Sequence, residues 1–409
     1  MLNNILAIFS GYLLGSILPA YIFGKILKGI DIRKVGTFNA GTTNVKRELG
    51  LLPAIPTAIY DTLKGIISIL IAQKFFKTSI AISYLAGFAA ALGHIFPFYL
   101  NFKGGQGAAT LTGILLFNLY KIFILNKTYF PFTDLIVLLI TIFTVFYITK
   151  TQEILSITVL PLFAYLLLLR VKFDWLLIST LIIIVYLLII GILNIIQFNL
   201  LKIDKSQLPN FPFWRTFIRP AGFSFVLLSF FVNKFILLTL IGIVLLIFFI
   251  FDLVRIFHEQ IDKFFIKDMR EIFIIFKEKE TRRISSMTIF LLSCFLSFLI
   301  FEKNIACYSL TFLIFGDFFA KIFGLAYGRH RLFNKTWEGT LAHFLGSLIF
   351  GYLLAHYSPL PFILIFIGAI VGAIAEVLPF NIDDNLSVPI FSGAIITFFL
   401  KINRKSLLL

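Results

Sequence analysis

The sequence predicts an all-α, polytopic integral membrane protein, with about fourteen transmembrane helices in two helical domains of about seven each. Apolar runs long enough to cross a hydrocarbon core of about 30 Å recur along the whole chain. Hydrophobic residues make up 59% and charged residues only 14% of the 409 positions, a balance foreign to soluble domains. Lysine and arginine concentrate in alternate loops, about twice as many on one side as on the other, and the positive-inside rule then puts the N-terminus outside.

The first run, about residues 5–23, holds Pro19 and reads as a signal anchor rather than a cleaved leader. Further runs fall at about 54–72, 81–100, 108–122, 134–149, 154–170 and 174–197, which makes residues 1–200 a first domain. The stretch Lys202–Pro220 is polar and carries prolines, so residues 201–220 are the expected linker. Residues 221–409 form the second domain, its runs lying at about 220–232, 235–252, 287–301, 305–324, 339–356, 361–378 and 388–402. Between Val254 and Arg283 acidic and basic residues interleave, as on an amphipathic helix at the cytoplasmic surface.

Several classes are excluded. The net charge of +16 follows the topology, so it attracts anionic lipids and phosphates and does not mark a nucleic-acid partner. Two cysteines, Cys294 and Cys307, are too few for a disulfide framework. No G-x-x-x-x-G-K-[ST] loop occurs, and no histidine has an aspartate five residues on.

Two polar inserts interrupt the first domain. Phe102–Thr110 reads FKGGQGAAT, a loop with few side chains over its backbone N–H groups, a helix start behind it and Lys103 beside it, which suits a phosphate. Val35–Arg47 reads VGTFNAGTTNVKR, with hydroxyls and amides at Thr37, Asn39, Thr42, Thr43 and Asn44, and cations at Arg33, Lys34, Lys46 and Arg47. Cations and amides without clustered carboxylates favour an anionic ligand over a metal. Asp61 and Lys64 stand at i, i+3 within a span, and ionisable groups there ordinarily line a polar interior. His94 precedes Pro97 near the inner end of the third run and is read either as a hydrogen-bonded structural group or as a base.

These segments, with YDTLKG and LAGFAAALGHIFPFYLNFKGGQGAAT, resemble the bacterial membrane glycerol-3-phosphate acyltransferases of the PlsY type, densely over residues 8–115 and more weakly to about 197. The resemblance implies acyl transfer from acyl phosphate to glycerol-3-phosphate, giving lysophosphatidate without a cofactor. It implies catalytic roles for Thr37, Asn39 and His94, and substrate or phosphate contacts for Arg33, Gly41, Asn44, Lys103, Gly104, Gly105 and Gly107. Thr37 stands where that family usually has serine, Phe38 where it has glycine and Gln106 where it has lysine. Its third motif, due near Leu193–Leu208, is not recognisable.

The second domain carries carboxylates and cations at the inner ends of its spans: Asp252 and Arg255, Asp317 and Lys321 with Arg329 following, Lys335 and Glu338, then Glu376, Asp383, Asp384 and Asn385. Such a set suits a nucleoside triphosphate with its Mg²⁺, while Asp317 with Lys321 at i, i+4 also makes an ordinary intrahelical ion pair. The GD-x-x-A, K-[ST]-x-EG and DN-x-x-VP segments, with ETRRISS upstream, resemble the CTP-dependent lipid kinases. That resemblance implies phosphoryl transfer from CTP to a lipid alcohol. Asp317, Glu376 and Asp384 would be catalytic, Asp317 and Asp384 would hold Mg²⁺, and Arg329, Lys335 and Glu338 would bind substrate phosphates.

The combined expectation is a two-domain enzyme of phospholipid synthesis in the cytoplasmic membrane of a bacterium, with both sites facing the cytoplasm. Its partners would be acyl phosphate, glycerol-3-phosphate, CTP, a lipid alcohol and the bilayer, and no nucleic acid. Two alternatives stay open: a degenerate first domain beside a working kinase, and a transporter of a phosphorylated solute.

Overall fold

The computed structural model describes residues 1–125, 130–198, 200, 219–258, 260, 283–379 and 382–406. The expected linker and the charged stretch after Val254 lie almost wholly outside the described residues. Two compact units emerge, Met1–Asp134 with Gln152–Leu200, and Leu135–Thr151 with Leu201–Leu409.

The chain is an α-helical integral membrane protein. Among the described residues nine helices are long and apolar enough to cross a membrane, and four more apolar helices span only 10–17 residues. The run expected at 220–232 yields a helix of seven residues, Phe223–Ser229. At 1.5 Å per residue it reaches roughly 10 Å, a third of a hydrocarbon core.

The first unit contains α1 (Leu2–Ser16), α2 (Pro19–Lys28), α3 (Thr42–Leu49), α4 (Leu51–Lys74), α5 (Ile80–Ile95) and α6 (Ala108–Tyr120). After α7 (Phe132–Thr149), most of which belongs to the second unit, α8 (Gln152–Arg170) and α9 (Trp175–Gln197) complete it.

The break between α1 and α2 organises the unit. Pro19 has no N–H, so the carbonyl of Gly15 has no helical donor four residues on. Lys64 Nζ takes it at 3.0 Å and reaches the Ile17 carbonyl at 3.3 Å. Tyr60 and Tyr99 donate their hydroxyls to the carbonyls of Leu14 and Ser16, both at 2.9 Å. Without water to hydrogen-bond these groups, a broken span persists only when neighbours do so. The same end of α1 is held close to α5 because a Cβ on Gly15 or Gly93 would collide with the backbone oxygens of Ala90 and Tyr12 respectively.

Deeper in the unit, Tyr84 donates to Asn118 Oδ1 at 2.7 Å, and Asn118 Nδ2 donates to Ser179 Oγ at 3.1 Å and Thr180 Oγ1 at 3.0 Å. The polar residues of α5, α6 and α9 thereby satisfy one another inside an apolar bundle.

The second unit holds α10 (Phe223–Ser229), α11 (Lys234–Phe257), α12 (Ser286–Ile300) and α13 (Lys303–Tyr327). A short antiparallel hairpin follows, β1 (Arg331–Leu332) with β2 (Lys335–Thr336), which the sequence reading did not anticipate. Then come α14 (Trp337–Leu354), α15 (Phe362–Val377) and α16 (Asp384–Ser406). Its core clusters Phe298, Tyr308, Phe312, Leu348, Ile365, Val388 and Ile396, and Phe315 stacks on Phe350 with centroids 3.5 Å apart. Asp252 is buried: its carboxylate takes Arg255 at 3.2 Å, the Ser285 N–H at 2.8 Å and the Thr288 hydroxyl at 2.7 Å. Asp252 and Arg255 therefore tie α11 to the start of α12.

Candidate functional site

The two polar inserts of the first unit meet. After α2 the chain makes a 3₁₀ turn at Ile32–Lys34, capped by Asp31, whose carboxylate accepts from Arg33 Nη2 at 2.7 Å. The Arg33 guanidinium holds Asp31 below the usual carboxylate range. Arg33 Nη1 then donates to the carbonyls of Leu100 at 3.1 Å and Lys103 at 2.5 Å, tying the first insert to the glycine loop. Gly105 lies against both: a Cβ there would strike His94 Nε2 and come within 3.0 Å of the Ala40 oxygen.

Two expected ligand contacts turn out to be scaffold. Asn44 is buried, accepts from the Thr37 N–H at 2.9 Å, and donates to the carbonyls of Ile32 at 2.8 Å, Val35 at 3.0 Å and Asn39 at 3.0 Å. Its amide is fully used in folding the insert, so it has nothing left for a phosphate. Arg33 is likewise occupied by Asp31 and two carbonyls.

The glycine loop also differs from the expected cup of free N–H groups. Gly104 N–H donates to Ile95 O at 2.9 Å and Gly105 N–H to His94 O at 3.0 Å, so both bind their own chain. A Cβ at Gly104 would run into the His94 carbonyl, which is why glycine is required there. Gly107 caps α6 in the left-handed region at φ 70°. The N–H groups left without a partner among the described residues belong to Gln106, Gly107 and the first turn of α6. The N–H groups open to a ligand are therefore those of the helix start rather than those of the glycine pair.

The side chains of Thr37, Asn39 and Lys103 have no hydrogen-bond partner among the described residues, and Lys103 is exposed. Gly41 caps α3, with its carbonyl accepting from the N–H groups of Asn44 and Val45 at 3.1 Å each. Thr42 Oγ1 is buried and has no partner among the described residues. His94 is 3% exposed, with Nδ1 2.7 Å from Lys64 Nζ and 3.4 Å from Asp61 Oδ1, and Lys64 bridges to Asp61 Oδ1 at 2.9 Å.

Sequence reasoning missed the brace behind the loop. Gln106 Nε2 donates to Asn194 Oδ1 at 2.9 Å, and the Tyr186 hydroxyl donates to the Gln106 carbonyl at 2.7 Å. The available signal was an amide inside the apolar run of α9.

The second unit brings Asp317, Arg329, Lys335, Glu376 and Asp384 to one cavity of about 730 Å³. The hairpin delivers Lys335, which is ion-paired to Glu376 and lies 2.6 Å from Asp384 Oδ2. Burial alone would lower the Lys335 ammonium, but Glu376 and Asp384 outweigh it and hold it above its ordinary value. Glu376 is 5% exposed and its Oε2 has no partner among the described residues. Asp317 is paired with Lys321 at 2.7 Å. Arg331 and Asn334 also line the cavity and were not anticipated; the GRHR run held Arg331 and the FNKT run held Asn334.

Glu338 departs from its expected role. Its carboxylate accepts from the N–H groups of Arg329 at 3.0 Å and His330 at 3.2 Å, and from His330 Nδ1 at 2.6 Å. An anion so placed repels phosphate; it folds the Arg329–His330 turn instead. Among the described residues no three His, Cys, Asp or Glu side chains are grouped to hold a metal ion.

Residues 5–199 match the family model described as glycerol-3-phosphate acyltransferase. The glycerol-3-phosphate acyltransferase of Prochlorococcus marinus (strain MIT 9301) is 39% identical over 158 residues, covering 36% of this chain and 80% of that protein. The chain belongs to the glycerol-3-phosphate acyltransferase family. A second member, from Alkaliphilus metalliredigens (strain QYMF), is 45% identical over 113 residues, which are 28% of this chain and 57% of that protein. The chain thus spans little more than half the length of that relative. The crystal structure of PlsY (YgiH), an integral membrane glycerol 3-phosphate acyltransferase, in its glycerol 3-phosphate form is 29% identical and covers 48% of this chain and 92% of its own, with a TM-score of 0.36.

Proposed function

We propose that the first unit transfers an acyl group from acyl phosphate to glycerol-3-phosphate. The observation that carries this is the junction at Ala40, His94 and Gly105, where two inserts each ending in a helix N-terminus, α3 and α6, adjoin. Two such termini suit two phosphates, one on each substrate. The acyl–phosphate C–O bond breaks as the ester C–O bond forms, and the hydroxyl proton leaves with the released hydrogen phosphate. Lys103 and the open N–H groups of α6 would offset charge on the departing phosphate, and Thr37 and Asn39 would orient the acceptor. Family membership favours this reading over a transporter.

The decisive experiment offers palmitoyl phosphate and labelled glycerol-3-phosphate to the purified full-length protein. Labelled lysophosphatidate supports the reading. Its absence, from protein shown to be folded in a bilayer, defeats it and leaves the first unit as a binding remnant.

For the second unit we infer a CTP-dependent lipid kinase, because Lys335, Glu376 and Asp384 interlock beside Arg329 in a polar cavity. Lys335 and Arg329 would contact phosphates. Mg²⁺ is ordinarily held by one or two carboxylates with phosphate oxygens completing its shell. Oε2 of Glu376, without a partner among the described residues, is the oxygen that fits such a role, with Asp384 sharing Lys335 as its ion-pair partner. The ion would neutralise the nucleotide's phosphates. CTP consumed only in the presence of a lipid alcohol, with labelled phosphate appearing in lipid, tests this directly. Both sites would open to the cytoplasmic face of a bacterial membrane.

A further inference from the structure

The cluster of Asp61, Lys64 and His94 has the composition of an acid–base relay but not its geometry. In a relay the carboxylate accepts a hydrogen bond from Nδ1–H, which leaves Nε2 bare to act as base. Here the nearest neighbour of His94 Nδ1 is Lys64 Nζ, at 2.7 Å, whereas Asp61 Oδ1 stands at 3.4 Å. Lys64 is surrounded by acceptors: Asp61 Oδ1 at 2.9 Å and the carbonyls of Gly15 at 3.0 Å and Ile17 at 3.3 Å. The ion pair with Asp61 calls for the ammonium form, which has no lone pair and whose three N–H donors serve four neighbours, the longest contact, to Ile17, sharing a hydrogen with another. Nδ1 must then accept from Lys64, and the ring proton sits on Nε2.

We propose that Lys64 locks His94 as the Nε2–H tautomer, making it a fixed hydrogen-bond donor to the anion at the glycine loop rather than a general base. Nε2 is the ring atom that a Cβ on Gly105 would strike, so the donor faces the loop directly. Asp61 and Lys64 are positioning residues acting through His94. The lock begins with Pro19: the helix break it imposes exposes the Gly15 carbonyl that helps hold Lys64. Asp61 Oδ2 is buried without a partner among the described residues, so only one carboxylate oxygen is engaged.

This rests on the acyltransferase reading for its anion, but the tautomer can be read without turnover. Full-length protein carrying ring-¹⁵N histidine is reconstituted in lipid, and His94 is assigned by comparison with His94→Gln. The expected spectrum shows a bare Nδ1 and a protonated Nε2 that shifts on titration with inorganic phosphate. A bare Nε2, a doubly protonated ring, or an Nε2 signal indifferent to phosphate overturns the proposal. In Lys64→Met the proton should move to Nδ1, facing Asp61, and phosphate affinity should fall about tenfold. Asp61→Asn keeps Lys64 and should keep the tautomer; a flip there would mean that Asp61 sets it and would sink the idea. His94→Gln, whose amide can donate from the same place, should hold phosphate within a few-fold of wild type, whereas His94→Leu should lose about tenfold. Failure of acyl transfer with the Nε2–H tautomer intact would count against the enzymatic reading alone.

Discussion

The side-chain amide of Gln106 donates to Asn194 Oδ1 at 2.9 Å, joining the turn before α6 to α9 across 88 positions of sequence. With Tyr186 holding the Gln106 carbonyl, the loop is gripped by α9 as well as by the carbonyls of His94 and Ile95. Replacing Asn194 with leucine leaves a half-buried amide unpaired and should cost about 1–3 kcal/mol of stability. It should also raise KM for glycerol-3-phosphate more than it lowers kcat. The double variant Q106L/N194L should lose less than the sum of the singles by about 1 kcal/mol in a thermal-unfolding cycle; strict additivity would refute the brace.

Asn44→Asp keeps the shape but replaces three N–H⋯O contacts with repulsion between a carboxylate and three carbonyls. A loss of about 3 kcal/mol is expected, with acyl transfer falling because the insert unfolds locally. Limited proteolysis should cut near Thr37 in this variant and not in wild type. Equal resistance would show that the insert is held by something else.

Gly104→Ala drives a methyl into the His94 carbonyl. The helical far-UV signal should persist while acyl transfer drops at least about tenfold, since a displacement near 1 Å at a reacting centre costs on that order or more. Turnover within twofold of wild type would mean that the loop does not set the site.

Lys335→Met strands Glu376, a buried carboxylate, beside Asp384. Removing one partner of a buried pair costs about 3 kcal/mol, and CTP consumption should cease. Because Glu376 and Asp384 hold Lys335 above the ordinary lysine value, its stabilising contribution is complete below that ordinary value and is lost only as pH rises through the higher folded value. Wild-type melting should therefore be insensitive to this group between pH 6 and 9 (about three units in which it stays charged). A transition assigned to Lys335 in that range would contradict the arrangement.

Asp31 has the opposite sign. Arg33 holds its folded value below the ordinary carboxylate range, so the stability it brings is present above that range and disappears as pH falls through the folded value. Asp31→Asn should remove that acid-limb dependence and loosen Arg33 from Leu100 and Lys103. Superimposable acid-denaturation curves for wild type and variant would show that the pair contributes nothing.

Hydropathy and periodicity made the helical membrane class readable, because a span must be apolar over its whole length whatever it packs against. The motif residues were readable as polar, glycine-bearing interruptions of oily runs. Their division of labour was not. Thr37, Asn39 and Lys103 keep their polar groups available, while Asn44, Arg33 and Glu338 spend theirs on carbonyls, amides and turns. Residue type alone does not separate these cases, since a side chain that binds a ligand and one that folds a loop have the same donors and acceptors.

Composition and local order along the chain were enough to say that this protein lies in a bilayer and to mark two polar, glycine-bearing inserts, since apolar runs and their interruptions are properties of short segments. Which nitrogen of His94 faces the loop, and which buried carboxylate oxygen in the second unit lacks a partner among the described residues, were decided by contacts between distant segments. Pro19 shows why. Its missing N–H is visible in the sequence, but only the fold brings Lys64 from another helix to the carbonyl left without a donor.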